Sequence, residues 1–233
     1  MPARRSLRSP WSFNLRSRTP VKPTIPAQEI LDRLADLRIV PVTSFDDADQ
    51  ADAVANALLR AGISCIEVTF RTAAAGEAIA RASSLDGLLV GAGTILSVEQ
   101  LHSAIRAGAH FGLSPGTSEA VIAAAQEAGL PFFPGVATPT EIERARVLGL
   151  DTVKVFPAAP LGGPAFLAAV AAVYPDVRFI PTGGIDVSNL GDYLSAPGVL
   201  AVGGSWITPN DLVRAGRYDE IQRLARQAKE TLA

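Results

Sequence analysis

Eight short runs of β-branched and apolar residues, each followed by a longer Ala-rich amphipathic segment, predict an α/β chain folded as a (β/α)8 TIM barrel. Three observations carry this reading. The runs are almost continuously apolar, as strands covered on both faces must be. Their centres recur about twenty to twenty-six residues apart, the length of one strand–helix unit. A small–Gly–apolar triplet also closes several helical segments: Ala61-Gly62-Ile63, Ala107-Gly108-Ala109, Ala128-Gly129-Leu130 and Leu148-Gly149-Leu150. Glycine there suits the left-handed residue that ends a helix before a strand.

In chain order, 28–37 reads as a helix that closes the lower end of the barrel, and 39–43 as the first strand. The turn Pro41-Val42-Thr43-Ser44-Phe45 has no Gly-rich dinucleotide fingerprint, which disfavours an open doubly wound sheet. Asp46 or Asp49 is placed to cap the next helix. The remaining strands are expected at 64–70, 88–94, 111–114, 131–136, 152–156, 177–181 and 199–203, with a helix after each.

The 233 residues, 48% hydrophobic and 19% charged, suit one soluble globular domain over 27–233. Ahead of it, 1–26 carries Arg4, Arg5, Arg8, Arg16, Arg18 and Lys22, five prolines and no acid. This tail shows no helical or strand period and no apolar core of a secretory signal. Its composition is similar to a transit peptide, but a disordered extension or an upstream translation start is the plainer expectation. Without those six cations the body holds 15 basic against 23 acidic residues, which argues against nucleic-acid binding. Cys65 is the only cysteine, excluding an intramolecular disulfide and a multi-cysteine metal site. No apolar run is long enough to cross a bilayer, so no membrane partner and a cytoplasmic setting are expected.

Barrels of this class react at the C-terminal ends of their strands. The polar residues falling there are Glu67, Thr69 and Arg71 after strand two, Thr94 after three, Ser114-Pro115-Gly116 after four, Lys154 and Phe156 from six, Thr182-Gly183-Gly184 after seven and Gly203-Gly204-Ser205 after eight. Lys154 is the most informative, because Val153-Lys154-Val155-Phe156 sets an amine within a strand that the fold buries. Burial favours the neutral amine, and a neutral lysine attacks ketones to give a Schiff base. A structural lysine that snorkels out or pairs with a carboxylate is the competing reading. Alternation puts Lys154 and Phe156 on one face of their strand, and Glu67, Thr69 and Arg71 on one face of theirs. Glu67 is a candidate proton shuttle, or an ion-pair partner of Lys154 or Arg71. The two glycine pairs stand where barrels bind phosphate, with backbone N–H groups and a following helix start as donors. His102 and His110 fall at the opposite end, and no metal site is expected.

These residues resemble the 2-keto-3-deoxy-6-phosphogluconate (KDPG) and 4-hydroxy-2-oxoglutarate (KHG) aldolases. The resemblance rests on Glu67-Val68-Thr69-Phe70-Arg71-Thr72, Val90-Gly91-Ala92-Gly93-Thr94, Ser114-Pro115-Gly116, Pro134-Gly135-Val136, Val153-Lys154-Val155-Phe156-Pro157-Ala158, Pro181-Thr182-Gly183-Gly184-Ile185 and Gly203-Gly204-Ser205-Trp206. It implies a class I lyase of the Entner-Doudoroff pathway, in which Lys154 forms the imine and Glu67 moves protons. Arg71, Thr94 and Pro115 would then hold the substrate carboxylate, Phe156 would pack on the pyruvyl group and Thr182 would meet a substrate hydroxyl. Gly183, Gly184 and Ser205 would take the phosphate. The implied partners are the phosphorylated 2-keto-3-deoxy sugar acid, pyruvate and glyceraldehyde 3-phosphate. The resemblance further implies no cofactor and a homotrimer. Relatives often carry an aliphatic residue or Arg where Thr43 and Ser44 stand, while Thr69 and Arg71 favour the gluconate-type substrate. The alternatives are an aldolase for a related 2-oxo acid, a phosphate-binding isomerase or epimerase, and a barrel without catalysis.

Overall fold

A computed structural model of the chain describes residues 25–232. The expected disordered tail therefore falls almost wholly outside the described residues. Helix α1 (Ala27–Leu37) leads into β1 (Ile39–Thr43), α2 (Gln50–Arg60), β2 (Cys65–Thr69), α3 (Ala75–Ser83), β3 (Leu89–Gly93), α4 (Val98–Arg106), β4 (Phe111–Leu113) and α5 (Glu119–Ala128). The chain continues through β5 (Phe132–Phe133), β6 (Gly135–Val136), α6 (Pro139–Val147), β7 (Thr152–Val155), α7 (Gly163–Val173) and β8 (Arg178–Pro181). It finishes with α8 (Leu190–Ser195), β9 (Val202–Gly204), α9 (Asn210–Arg214) and α10 (Tyr218–Glu230). Among the described residues no helix is long and apolar enough to cross a membrane.

Every strand pair is parallel, in the order β5-β4-β3-β2-β1-β9 and β6-β7-β8. Bridges Phe179 to Val199 and Thr182 to Gly203 join β8 to the β9 edge. The expected fifth strand is split at Pro134, which has no N–H to donate. Its carbonyl still accepts from Lys154 N at 2.9 Å, so the first half of the strand pairs with β4 and the second with β7. A curled parallel sheet with helices between successive strands is a (β/α)8 barrel-like fold.

Residue alternation sorts the core into two shells. Val40, Cys65, Leu89, Phe111, Leu113, Phe133, Ile180 and Ala201 form an inner cluster, to which α1 adds Ile30 and Leu34. Their strand neighbours, such as Ile66, Val68, Val90, Ala92, Val153 and Val155, pack against the helices. Gly91 makes room inside: a Cβ there would lie 2.4 Å from the Phe111 ring. At the lower end Ile63, Ala109, Leu130 and Leu150 each donate to the carbonyl five residues back, around Gly62, Gly108, Gly129 and Gly149 at positive φ. These are the helix stops that the small–Gly–apolar triplets predict.

The capping expectation for α2 is corrected. Asp49 occupies the N-cap position without a side-chain cap bond, while Asp46 pairs with Arg214 at 2.6 Å. Asp47 Oδ1 instead accepts from Asp49 N at 3.0 Å, so the carboxylate that stabilises this turn sits between the two expected ones.

Candidate active site

Lys154 and Glu67 come from strands on different sides of the barrel and meet inside it. Lys154 has Gly135 and Ile180 as its cross-strand neighbours, and Glu67 has Val42 and Gly91. Lys154 Nζ donates to Glu67 Oε1 at 2.9 Å and lies 3.3 Å from Oε2. Relative exposure is 5% for Lys154 and 1% for Glu67, so the two charges have little water to solvate them. Such a pair is stable only jointly, since removing either partner strands the other charge. The same short contact is a proton path. Transfer from Nζ to Oε1 leaves a neutral amine beside a neutral acid, which is the nucleophilic form of lysine.

Glycines shape the space around the pair. A Cβ on Gly93 would lie 2.0 Å from Glu67 Oε1, so the neighbouring strand must present hydrogen where the carboxylate sits. A Cβ on Gly135 would lie 2.1 Å from the Pro115 carbonyl carbon, so the turn after β4 rests directly against β6, next to Lys154. Phe156 places its ring centroid 6.0 Å from Lys154 Nζ. That distance is within reach of a cation–π contact.

The other expected residues lie around the upper end. Thr94 directly follows β3 at φ 56, in the left-handed region and half-buried. Pro115 is half-buried, and Ser114 Oγ donates to Gly116 O at 2.6 Å. Arg71 is exposed two residues past β2, with no ion pair or side-chain hydrogen bond among the described residues. Thr182 is buried, and its Oγ1 has no hydrogen-bond partner among them. Gly183 and Gly184 follow at φ 102 and 75, and a Cβ on Gly184 would lie 2.5 Å from Ala159 Cβ. The bridge from Thr182 to Gly203 sets this loop beside the one carrying exposed Ser205. Among the described residues the N–H groups of Gly184 and Ser205 donate to no protein acceptor. The expected helix starts are not at these glycines, because α8 begins at Leu190 and α9 at Asn210. Backbone donors, without a helix dipole, are what the two loops offer an anion.

A family model described as KDPG and KHG aldolase matches residues 30–224. The chain belongs to the KDPG and KHG aldolase family. It is 46% identical over 200 residues to the 2-dehydro-3-deoxy-phosphogluconate aldolase of Treponema pallidum, covering 85% of this chain and 95% of that one. It is 43% identical over 193 residues to the KHG/KDPG aldolase of Escherichia coli, with coverage of 82% and 91%. A crystal structure of KDPG aldolase from Legionella pneumophila, with pyruvate captured as a covalent carbinolamine, superposes with a TM-score of 0.82 at 36% identity. The overlap covers 85% of this chain and 97% of that one.

Within this aldolase-family barrel the residues first considered for other chemistry take no part in the Lys154–Glu67 contact. Cys65 opens β2 in the inner cluster, where burial pushes its thiol well up from its usual range. His102 is on α4. His110 precedes β4 at the lower end, where its Nδ1 accepts from Val90 N at 2.9 Å, and burial followed by the Arg33 charge holds its imidazole below the ordinary value. Sequence reasoning missed Thr208 and the packing role of Gly93. Thr208 lies beyond β9 and joins Thr43 and Val42 through its hydroxyl. The available signal for Gly93 was its place in the strand next to Glu67, where a bulky inward residue would compete with the carboxylate.

Proposed function

We propose that this chain is a class I aldolase that cleaves 2-keto-3-deoxy-6-phosphogluconate to pyruvate and glyceraldehyde 3-phosphate. The observation that carries the reading is the buried 2.9 Å contact between Lys154 Nζ and Glu67 Oε1. Glu67 takes the ammonium proton, and neutral Lys154 adds to the C2 ketone to form a carbinolamine. Glu67 returns that proton to the leaving hydroxyl, so water departs and a cationic imine remains. The carboxylate then removes the C4 hydroxyl proton, the C3–C4 bond breaks, and its electron pair neutralises the imine nitrogen as an enamine. Glyceraldehyde 3-phosphate leaves, Glu67 protonates C3, and water hydrolyses the imine to pyruvate and free Lys154. The lysine supplies the electron sink, so the scheme needs no cofactor.

Arg71 and Thr94, with the backbone at Pro115, are assigned to the substrate carboxylate, Phe156 to the pyruvyl group and Thr182 to a substrate hydroxyl. Unpartnered Thr182 Oγ1 supports its assignment. The undonated N–H groups of Gly184 and Ser205, with Gly183 beside them at positive φ, support a phosphate subsite at these three residues. The packing of Ile30 and Leu34 on the inner cluster supports α1 as the plug of the lower mouth, leaving the upper end for substrate. The barrel is assigned to 27–233 as one catalytic domain. A phosphorylated sugar acid does not cross a bilayer unaided, which favours a cytoplasmic setting. A homotrimer is the assembly we assign.

Borohydride reduction in the presence of pyruvate tests the imine. The expected result is a stable pyruvate adduct on Lys154 by peptide mass, lost in Lys154→Ala. Pyruvate release from the phosphogluconate substrate, read with lactate dehydrogenase, is expected to persist in EDTA, to vanish in Lys154→Ala and to slow in Glu67→Gln, by about a hundredfold or more. Full activity in Lys154→Ala would overturn the imine route.

A further inference from the structure

Two hydroxyl pairs stand at the upper end of β1, and the carbonyls they rest on fix where their protons point. Thr69 Oγ1 lies 3.1 Å from the Thr43 carbonyl oxygen, which can only accept, so Thr69 donates there. Ser44 Oγ lies 2.5 Å from the same Thr69 Oγ1, and with that proton engaged Ser44 is the donor between them. The second pair repeats the logic: Thr208 donates to the Val42 carbonyl at 3.1 Å, and Thr43 donates to Thr208 at 2.9 Å. A hydroxyl has one proton and two lone pairs. Half-buried Ser44 has spent its proton, so acceptor capacity is all it has left for a ligand.

Its position gives that capacity a use. Thr43 pairs with Val68 in register, which sets Ser44 beside Thr69, two residues past Glu67 on the same strand. On the other flank Pro41 faces Gly204, so the end of β1 runs alongside the segment that starts at Ser205. Ser44 therefore borders the route between the Lys154–Glu67 pair and the anion-binding loops.

Building on the aldolase reading above, we infer that Ser44 sets substrate preference by accepting a hydrogen bond from the C5 hydroxyl of the phosphorylated sugar acid. Lys154 holds C2, the glycine loops and Ser205 hold the phosphate on C6, and Glu67 together with unpartnered Thr182 serves the C4 hydroxyl. The C5 hydroxyl is the donor that remains. 4-Hydroxy-2-oxoglutarate carries a carboxylate carbon at C5, which offers only acceptors and is repelled by an acceptor-only serine. The same residue thus rewards one substrate and penalises the other.

The test is kcat/KM for both substrates in the wild type, Ser44→Ala and Thr69→Val. Ser44→Ala is expected to lower the value for the phosphogluconate substrate about tenfold, the worth of one hydrogen bond, and to leave 4-hydroxy-2-oxoglutarate unchanged or improved. Thr69→Val frees the Ser44 proton to donate, and is expected to shift the ratio towards 4-hydroxy-2-oxoglutarate. A Ser44→Ala enzyme that changes both substrates by one factor, or neither, overturns the inference. A wild type that cleaves neither compound and gains no pyruvate adduct overturns the aldolase reading itself, and this inference with it.

Discussion

At the scale of single residues, the site depends as much on missing atoms as on present ones. Lys154 and Glu67 were legible in the sequence because ionisable side chains stand out in apolar strands. Their contact was only one of several options, since Arg71 was an equally plausible partner for Glu67 by alternation. The structure resolves this through position: Arg71 lies beyond the end of β2 and is exposed, while Glu67 is mid-strand and faces Lys154. Gly93 was not legible, because its role is to leave a volume empty. Gly93→Ala is expected to push the Glu67 carboxylate away from Lys154, lowering kcat by about a hundredfold or more and costing roughly 1–3 kcal/mol of stability from overpacking. Steady-state kinetics beside urea unfolding checks this, and a fully active Gly93→Ala would show that the carboxylate has room to spare.

Elements were predicted best where a chemical stop signal coincides with a change of period. The triplets around Gly62, Gly108, Gly129 and Gly149 mark helix ends because those glycines adopt positive φ, which other residues reach at a cost. Helix starts were harder to read, since several nearby carboxylates compete for one turn, as Asp46, Asp47 and Asp49 do. The fifth strand was read as one run, but Pro134 divides it, because a residue with no N–H interrupts the ladder while its carbonyl continues it. Helix α6 has the most complete start: Thr138 accepts from Glu141 N at 3.3 Å, and the Glu141 carboxylate accepts from Thr138 N at 3.0 Å. Thr138→Ala is expected to cost about 1 kcal/mol, read as a lower urea midpoint at unchanged slope. An unchanged midpoint would mean that packing of Ile142 and Ala145 alone holds this helix.

For the whole molecule, the barrel was legible because eight repeats of strand and helix leave few alternatives, while assembly was not. Helix α7 carries no charge and exposes Ala165, Ala168, Ala169 and Ala172 together with Val173, which is 67% exposed. Val147, at the end of α6, is 86% exposed. Apolar surface of this kind is a common seat for subunit contact. Light scattering is expected to give three times the 24.3 kDa chain mass, and a monomer would refute the trimer. In a trimer seated on α7, Val173→Asp is expected to lower that mass, since a charge in an apolar contact is costly.

The lower face has a practical meaning of its own. Ile25 packs near α1 against the inner cluster, and at the far end of the chain Lys229 and Leu232 border the same groove as Leu37 and Gly62. Both ends of the described chain thus leave from the side remote from Lys154. A fused protein or a solid support joined at Ile25 or Leu232 is expected to leave clear the upper end, to which we assign substrate entry, so the barrel itself suits immobilised use from both directions.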